Sequence, residues 1–318
     1  MSGRFSPLWA APMIARLDNL RTSATVFRHL TGLTVAAFDE LAADVVPAVE
    51  AAHRKALERP NRQRAVGGGD NFDLTTADQV LMTVIWLRQY PTNEVLGFLF
   101  GVSDSTASRV RTRCLPALEQ AGRDTMRMPD PGVGRRKKLS ALLADTPGLA
   151  VVIDSFEQRT QRPKRRQRAH YSGKKKTHTL KSQVAVDEES GAIVDVSDSV
   201  PGPWADIKLL KKSRLMKRLP KGVGGIGDLG YVGIGELHPT GSGAAPRRKP
   251  RGKERPAADR KYNRAFSRRR IVVEHAIGRL RRFRAVTHVN RHRRQGHAMR
   301  VRAIAGLVNR MLSQRAAA

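Results

Sequence analysis

The sequence predicts a mixed α/β sheet preceded by a separate all-α domain. Three observations carry that expectation. Up to about residue 120 the apolar residues keep helical spacing, as in "TTADQVLMTVIWLRQY". From residue 149 the pattern changes to short β-branched runs such as "LAVVID". The order there is strand, hairpin, helix, strand, helix, which describes a mixed sheet. The expected division is residues 1–130 and residues 131–318.

Residues 1–25 give no clear signal. In 33–57, Leu33, Ala37, Leu41, Val45 and Val49 share a helical face, and Pro47 is expected to kink or divide the run. "RPNRQRAVGGGDNF" (59–72) has linker composition. Residues 74–90 form a helix that Thr75 or Thr76 can cap, with Val80, Val84 and Leu87 on its face. Residues 91–118 then read as a short helix ending near Gly101 and a second helix capped by Ser103. That is the shape of a helix-turn-helix. Ser105, Thr106, Ser108, Arg109 and Arg113 would face DNA, and the bland alternative is a helical hairpin with a solvated polar face. A boundary with four consecutive basic residues, 135–138, follows at 121–148.

The second half begins with strands at 149–154, 177–187 and 192–200, the last two joined as a hairpin through Gly191. A helix is expected at 204–219 and a short glycine-rich strand at 222–231. Residues 238–263 read as a mobile basic loop, and helices follow at 267–283 and 297–312. Val301, Ile304, Ala305, Val308 and Met311 line one face of the last.

The chain of 318 residues is 40% hydrophobic, enough for a core, and carries a formal charge of +31. Residues 1–130 hold 15 Lys and Arg against 14 Asp and Glu, whereas residues 131–318 hold 44 against 14. A polyanion is therefore expected on the second half. A single cysteine, Cys114, excludes a disulfide framework and a Cys-rich zinc site, and reads as a small apolar helix residue. There is no apolar run of membrane-spanning length and no secretory h-region, so a cytoplasmic, nucleoid-associated protein is expected.

Among so many cations, three acids stand where solubility explains them poorly. Asp154 ends an apolar run, Asp228 follows a glycine-rich one, and Glu274 lies in "RIVVEHAIGRL". Carboxylates converging from adjacent strand ends and a crossing helix suit two Mg²⁺ ions acting on a phosphodiester. The alternatives are a turn or cap role for each Asp, and pairing of Glu274 with Arg270 or Arg281. Trp204 is expected to pack against the sheet, the rival reading being a stack on an unpaired base. Basic runs at 162–168 and 173–176, with Arg162, Lys174, Lys175 and Lys176, are read as DNA-backbone contacts flanking Asp154.

These residues resemble the DDE transposases of bacterial insertion sequences, in the lineage of insertion sequence five and the Harbinger elements. The likeness covers about residues 25–312. It rests on "VVIDSFEQRTQRP", "HYSGKKKTHTLKSQVAVDEESGAIVDVSDSVPGPWADIKLL", "GDLGY" and "SRRRIVVEHAIGRLRRF". The resemblance implies a ribonuclease H-like catalytic core behind a helix-turn-helix. It implies a triad of Asp154, Asp228 and Glu274 holding Mg²⁺ in a two-metal arrangement that also accepts Mn²⁺. Arg270 and Arg281 would meet phosphates near the scissile bond, and Asp206 is a supporting or alternative acid. Two positions depart from the family: Ser267 stands where a Tyr is usual, and Arg281 where a Lys is usual. The implied activity is Mg-dependent cleavage and 3′-hydroxyl strand transfer on double-stranded DNA, at terminal inverted repeats and a target. A homodimer or higher assembly on DNA is implied, with no membrane partner. The rival is a non-catalytic or domesticated DNA-binding derivative.

Overall fold

The computed structural model describes residues 15–58, 74–132 and 139–317. The linker 59–72 and the basic run 135–138 lie outside the described residues.

The helical part opens with α1 (Leu17–Arg21), α2 (Ala24–Thr31) and α3 (Val35–Leu57). Pro47 does not divide α3, which runs on through it with Leu41, Val45 and Val49 buried. Next come α4 (Thr76–Gln89), α5 (Asn93–Phe100) and α6 (Asp104–Asp124). Thr75, Thr92 and Ser103 each accept a backbone N–H in the first turn that follows, supplying the acceptors that a helix start lacks. Gly101 ends α5 with φ +67°, the left-handed turn between the two helices of the motif.

The sheet begins with β1 (Ala150–Arg159). The strand does not end at Asp154. Phe156 and Gln158 stay buried beyond it, and the intervening polar residues find partners on neighbouring elements. After α7 (Gln167–His170) and β2 (Tyr171–Ser172) comes β3 (Thr177–Asp187), which pairs antiparallel with β1 from Thr179 to Asp187 and with β2 at its first two residues. The strand expected at 192–200 is two pieces, β4 (Ile193–Val196) and β5 (Val200–Pro201), both paired to β3. The helix expected at 204–219 also divides, into α8 (Asp206–Ser213) and α9 (Leu215–Arg218), at Arg214 with φ 54°. Then β6 (Gly224–Ile226) joins β1 in parallel, and β7 (Gly243–Ala244) joins β6. The expected basic loop 238–263 thus contributes an edge strand and the first residues of α10 (Ala257–Leu280). The chain closes with α11 (Arg284–Thr287) and α12 (His297–Ala317).

Both faces of the sheet are covered, following the two-residue period of a strand. Ala150, Val152, Phe156, Val184 and Val186 face α10 and the helical part in one continuous core. Val151, Ile153 and Ala185 face Leu210, Met216 and Tyr231 on the other side. The two segments expected as domains share the first of these cores, because α12 packs back on α6. Among the described residues, no helix is long and apolar enough to cross a membrane.

Candidate active site

Parallel pairing of β1 with β6 sets Val151 against Gly225 and Val152 against Ile226. Asp154 and Asp228 each stand two residues past Val152 and Ile226, so the register carries the two acids forward side by side. Asp228 Oδ1 accepts the Gly230 N–H at 2.8 Å, capping a one-turn 3-10 helix at Leu229–Tyr231. Asp154 Oδ1 accepts the Ser155 N–H at 2.7 Å, and its Oδ2 lies 3.6 Å from Arg270 Nη2.

Asp206, the first residue of α8, completes the cluster from the other side. Its Oδ1 accepts from Ser155 Oγ at 2.6 Å and from Lys181 Nζ at 2.9 Å. Gly230 is the close approach between Asp206 and Asp228. A Cβ there would lie 2.8 Å from Asp206 Oδ2 and 3.0 Å from Asp228 Oδ1. Burial pushes the Asp154 carboxyl above its ordinary range, and Asp228 and Asp206 add to the shift, while the Ser155 N–H and Arg270 oppose it. Tyr231, buried against the cluster, is raised further, by burial first and then by the fields of Asp206, Asp154 and Asp228.

Glu274 is exposed on α10, one turn beyond Arg270, while its neighbour Val273 is buried in the core. It pairs with neither arginine: Arg270 turns to Asp154, and Arg281 is exposed at the end of α10. Among the described residues, no three His, Cys, Asp or Glu side chains are close enough to hold one metal ion. The donor set still suits a hard divalent cation. It offers carboxylate oxygens with mutual repulsion to relieve, and Arg270 is the positive charge nearest Asp154.

Ser155, Lys181 and Tyr231 were not singled out by the sequence. Lys181 donates to Asp206 and also to the Trp204 carbonyl at 2.6 Å, and lies 4.0 Å from Glu157. Its signal was the Leu-Lys of the β3 motif, and that of Tyr231 was the end of "GDLGY". Trp204 is only half-buried, with Lys208 and Lys212 over its ring at 4.6 and 5.1 Å.

The expected DNA contacts fall in three places. Arg109 is exposed on α6, whereas Arg113 turns inward and donates to Gln79 on α4 at 3.2 Å. Arg162 is exposed and donates to Gln167 at 2.9 Å. Lys174, Lys175 and Lys176 are exposed at the tip of the β2–β3 hairpin.

The sheet order, with an acid two residues past the paired segment on each of two parallel neighbours, is that of a ribonuclease H-like core. Residues 153–309 match the DDE superfamily endonuclease model, and residues 72–124 match the helix-turn-helix of the same superfamily. The chain belongs to the DDE endonuclease superfamily, among the insertion-sequence transposases. It is 30% identical over 294 residues to a probable transposase for insertion sequence element IS702 from Microchaete diplosiphon, covering 92% of this chain and 97% of that one. No solved structure matches it.

Proposed function

We propose that this protein cuts DNA at the ends of an insertion sequence and transfers the freed 3′-hydroxyl to a target strand. The observation that carries the reading is that Asp154 and Asp228 follow the paired segment of β1 and β6 in matching positions, with Asp206 bonded to Ser155 beside them and the charges of Asp228 and Asp206 both acting on Asp154, inside the strongly basic half of the chain. Asp154 and Asp228 would hold Mg²⁺, with Glu274 reaching in from α10 and Asp206 in a supporting place. The bound ion would supply Lewis-acid stabilisation to the attacking and leaving oxygens of an in-line displacement.

The chain's own residues orient the reaction. Ser155 and Lys181 fix Asp206, Arg270 steadies Asp154 and is placed to take a phosphate oxygen, and Arg281 lies further along α10. The exposed face of α6, with Ser105 and Arg109, would read the element end, and Arg162 and Lys174–Lys176 would hold backbone phosphates. Holding two ends together implies at least a dimer on DNA.

The test is a Mg²⁺-dependent cleavage and strand-transfer assay on end-containing duplex, wild type against Asp154→Asn. The expected result is product with wild type and none with the variant, with end binding retained by both. A wild-type chain that binds the ends but neither cuts nor joins them would instead be a non-catalytic DNA-binding protein.

A further inference from the structure

A group of cations joins the helix-turn-helix to the far end of β1, and among the described residues no carboxylate is ion-paired with it. Its open part is a cavity of about 450 Å³ walled by Tyr90, Arg159, His288 and Arg291 among others. Behind it Arg111 and Arg300 are buried. Each meets only a neutral acceptor: Arg111 donates to Asn93 Oδ1 at 2.6 Å and lies 4.4 Å over Trp86, and Arg300 donates to Asn290 Oδ1 at 2.7 Å. Among the described residues no carboxylate forms an ion pair with any of these four arginines. The acid whose charge couples to one of them is Glu94, fully exposed and near Arg291.

The crowding is visible in the acidities. Burial first, and then the fields of Arg300 and Arg291, hold Arg111 down at about 10. Burial and the fields of Arg111, Arg300 and Arg291 hold His292 at about 4. Buried like charges without a counter-charge oppose folding and mark a place where a ligand supplies the missing sign.

The backbone is strained at the same spot. Tyr90 has φ 55°, a left-handed conformation that a bulky side chain rarely adopts. Arg291 holds it there. Its backbone N–H donates to Tyr90 Oη at 3.1 Å, its guanidinium donates to the Tyr90 carbonyl at 2.5 Å, and that guanidinium lies 4.3 Å over the ring. Tyr90 ends α4 just before α5, so the arrangement fixes the helix-turn-helix to the segment that follows α11.

We propose that this seam binds the phosphodiester backbone of duplex DNA, with Arg159 and Arg291 taking phosphate oxygens between the recognition helix and the acid cluster. The proposal takes its ligand from the function proposed above. Geometry supports the placement. Arg159 is the last residue of β1, five beyond Asp154, which is about 17 Å at ~3.3 Å per residue. Phosphates of one strand recur about every 3.4 Å along the duplex axis, so DNA held here reaches the acids roughly five nucleotides away. The hairpin carrying Lys174–Lys176 leaves the sheet at the same end, since Arg159 pairs with Thr179 and Tyr171 with His178.

The experiment measures binding of the full chain to a mixed-sequence duplex of about 30 base pairs across a salt series. Each phosphate contact contributes about 0.9 to the slope of log K against log salt. Arg159→Gln is expected to reduce the slope by about one, and Arg159→Gln with Arg291→Gln by about two. The control Lys55→Gln removes the same charge from exposed α3 and is expected to leave the slope unchanged. An unchanged slope in Arg159→Gln, or an equal fall in the control, overturns the seam. The single variant at an exposed residue decides the question even if the double variant does not fold. A wild-type chain that shows the slope effect but cuts nothing upholds the seam while overturning the strand-transfer reading.

Discussion

Ser155 holds two carboxylates at once, its N–H on Asp154 and its hydroxyl on Asp206. Removing the hydroxyl in Ser155→Ala leaves Asp206 with Lys181 alone and frees the acid to turn toward Asp228. Loss of such an orienting bond typically costs about 10- to 100-fold in metal affinity or activity. That loss is expected in the strand-transfer rate, with an unchanged melting temperature. The sequence disclosed Asp154 and Asp228 because each acid follows an apolar run. It could not disclose Ser155, Lys181 or Tyr231, whose roles arise from cross-strand register and from α8 docking over the sheet. A second residue-scale expectation concerns His297. Its Nδ1 accepts from Ser199 Oγ at 2.6 Å, and its Nε2–H donates to Gln158 Oε1 at 2.6 Å. That tautomer follows from Gln158, whose amide N–H groups are spent on the carbonyls of Ala285 and His288. Burial, with Arg300 adding, pushes His297 down to about 3. The unfolded imidazole takes a proton near pH 6.5 and the folded one does not, so its contribution is complete above that pH and is lost as pH falls toward 3. Stability should therefore decline below pH 6.5, by up to ~1.4 kcal/mol per unit from this group. Denaturant midpoints at pH 7.5 and 5 check this, and His297→Gln should show a smaller difference between them.

At the scale of elements, the contact between α6 and α12 is set by two glycines. A Cβ on Gly306 would lie 2.2 Å from Gly122 Cα, and one on Gly122 would lie 2.7 Å from the Arg302 carbonyl oxygen. Two effects compete in Gly306→Ala. Helix propensity favours Ala by about 1 kcal/mol, and forcing the backbones apart costs roughly 1–3 kcal/mol or more. The obstacle is backbone, which cannot rotate away as a side chain could, so the steric cost wins and a net loss of stability is expected in urea unfolding. The same comparison explains which elements the sequence made legible. Helices α4, α5 and α6 carry their own caps in Thr75, Thr92 and Ser103, and β3 carries its own β-branched run. The second half of β1 reads as polar because Glu157 takes a bond from Thr179 at 2.6 Å and Gln158 bonds to distant carbonyls. The break at Arg214 and the edge strand β7 depend on tertiary neighbours, which no local pattern encodes.

For the whole molecule the question is whether the near-neutral half and the basic half behave as one body. The charge pattern suggests a division at about residue 130, with DNA steering left to the second half. Packing argues for coupling. α12 belongs to the basic half by sequence, yet it packs on α6, and Arg302 on it pairs with Glu119 at 3.1 Å and also with Asp198. Asn309 donates to the Thr125 hydroxyl at 3.1 Å and to the Ile193 carbonyl at 2.8 Å, joining the two halves through one side chain. Independent unfolding would have to open this shared core and expose α12 on one side while it stays folded on the other, which makes a half-unfolded state unfavourable. Two tryptophans report the halves separately, Trp86 buried in α4 and Trp204 beside α8. With the third tryptophan, Trp9, replaced by Phe in both, Trp86→Phe and Trp204→Phe variants, each followed by fluorescence and by far-ultraviolet circular dichroism, should give coincident midpoints within each protein. Gly306→Ala introduced into both should lower the Trp86 and Trp204 midpoints together. If only the Trp86 transition moved, the helix-turn-helix half would be an independently folding body, and α12 merely a strap laid across it.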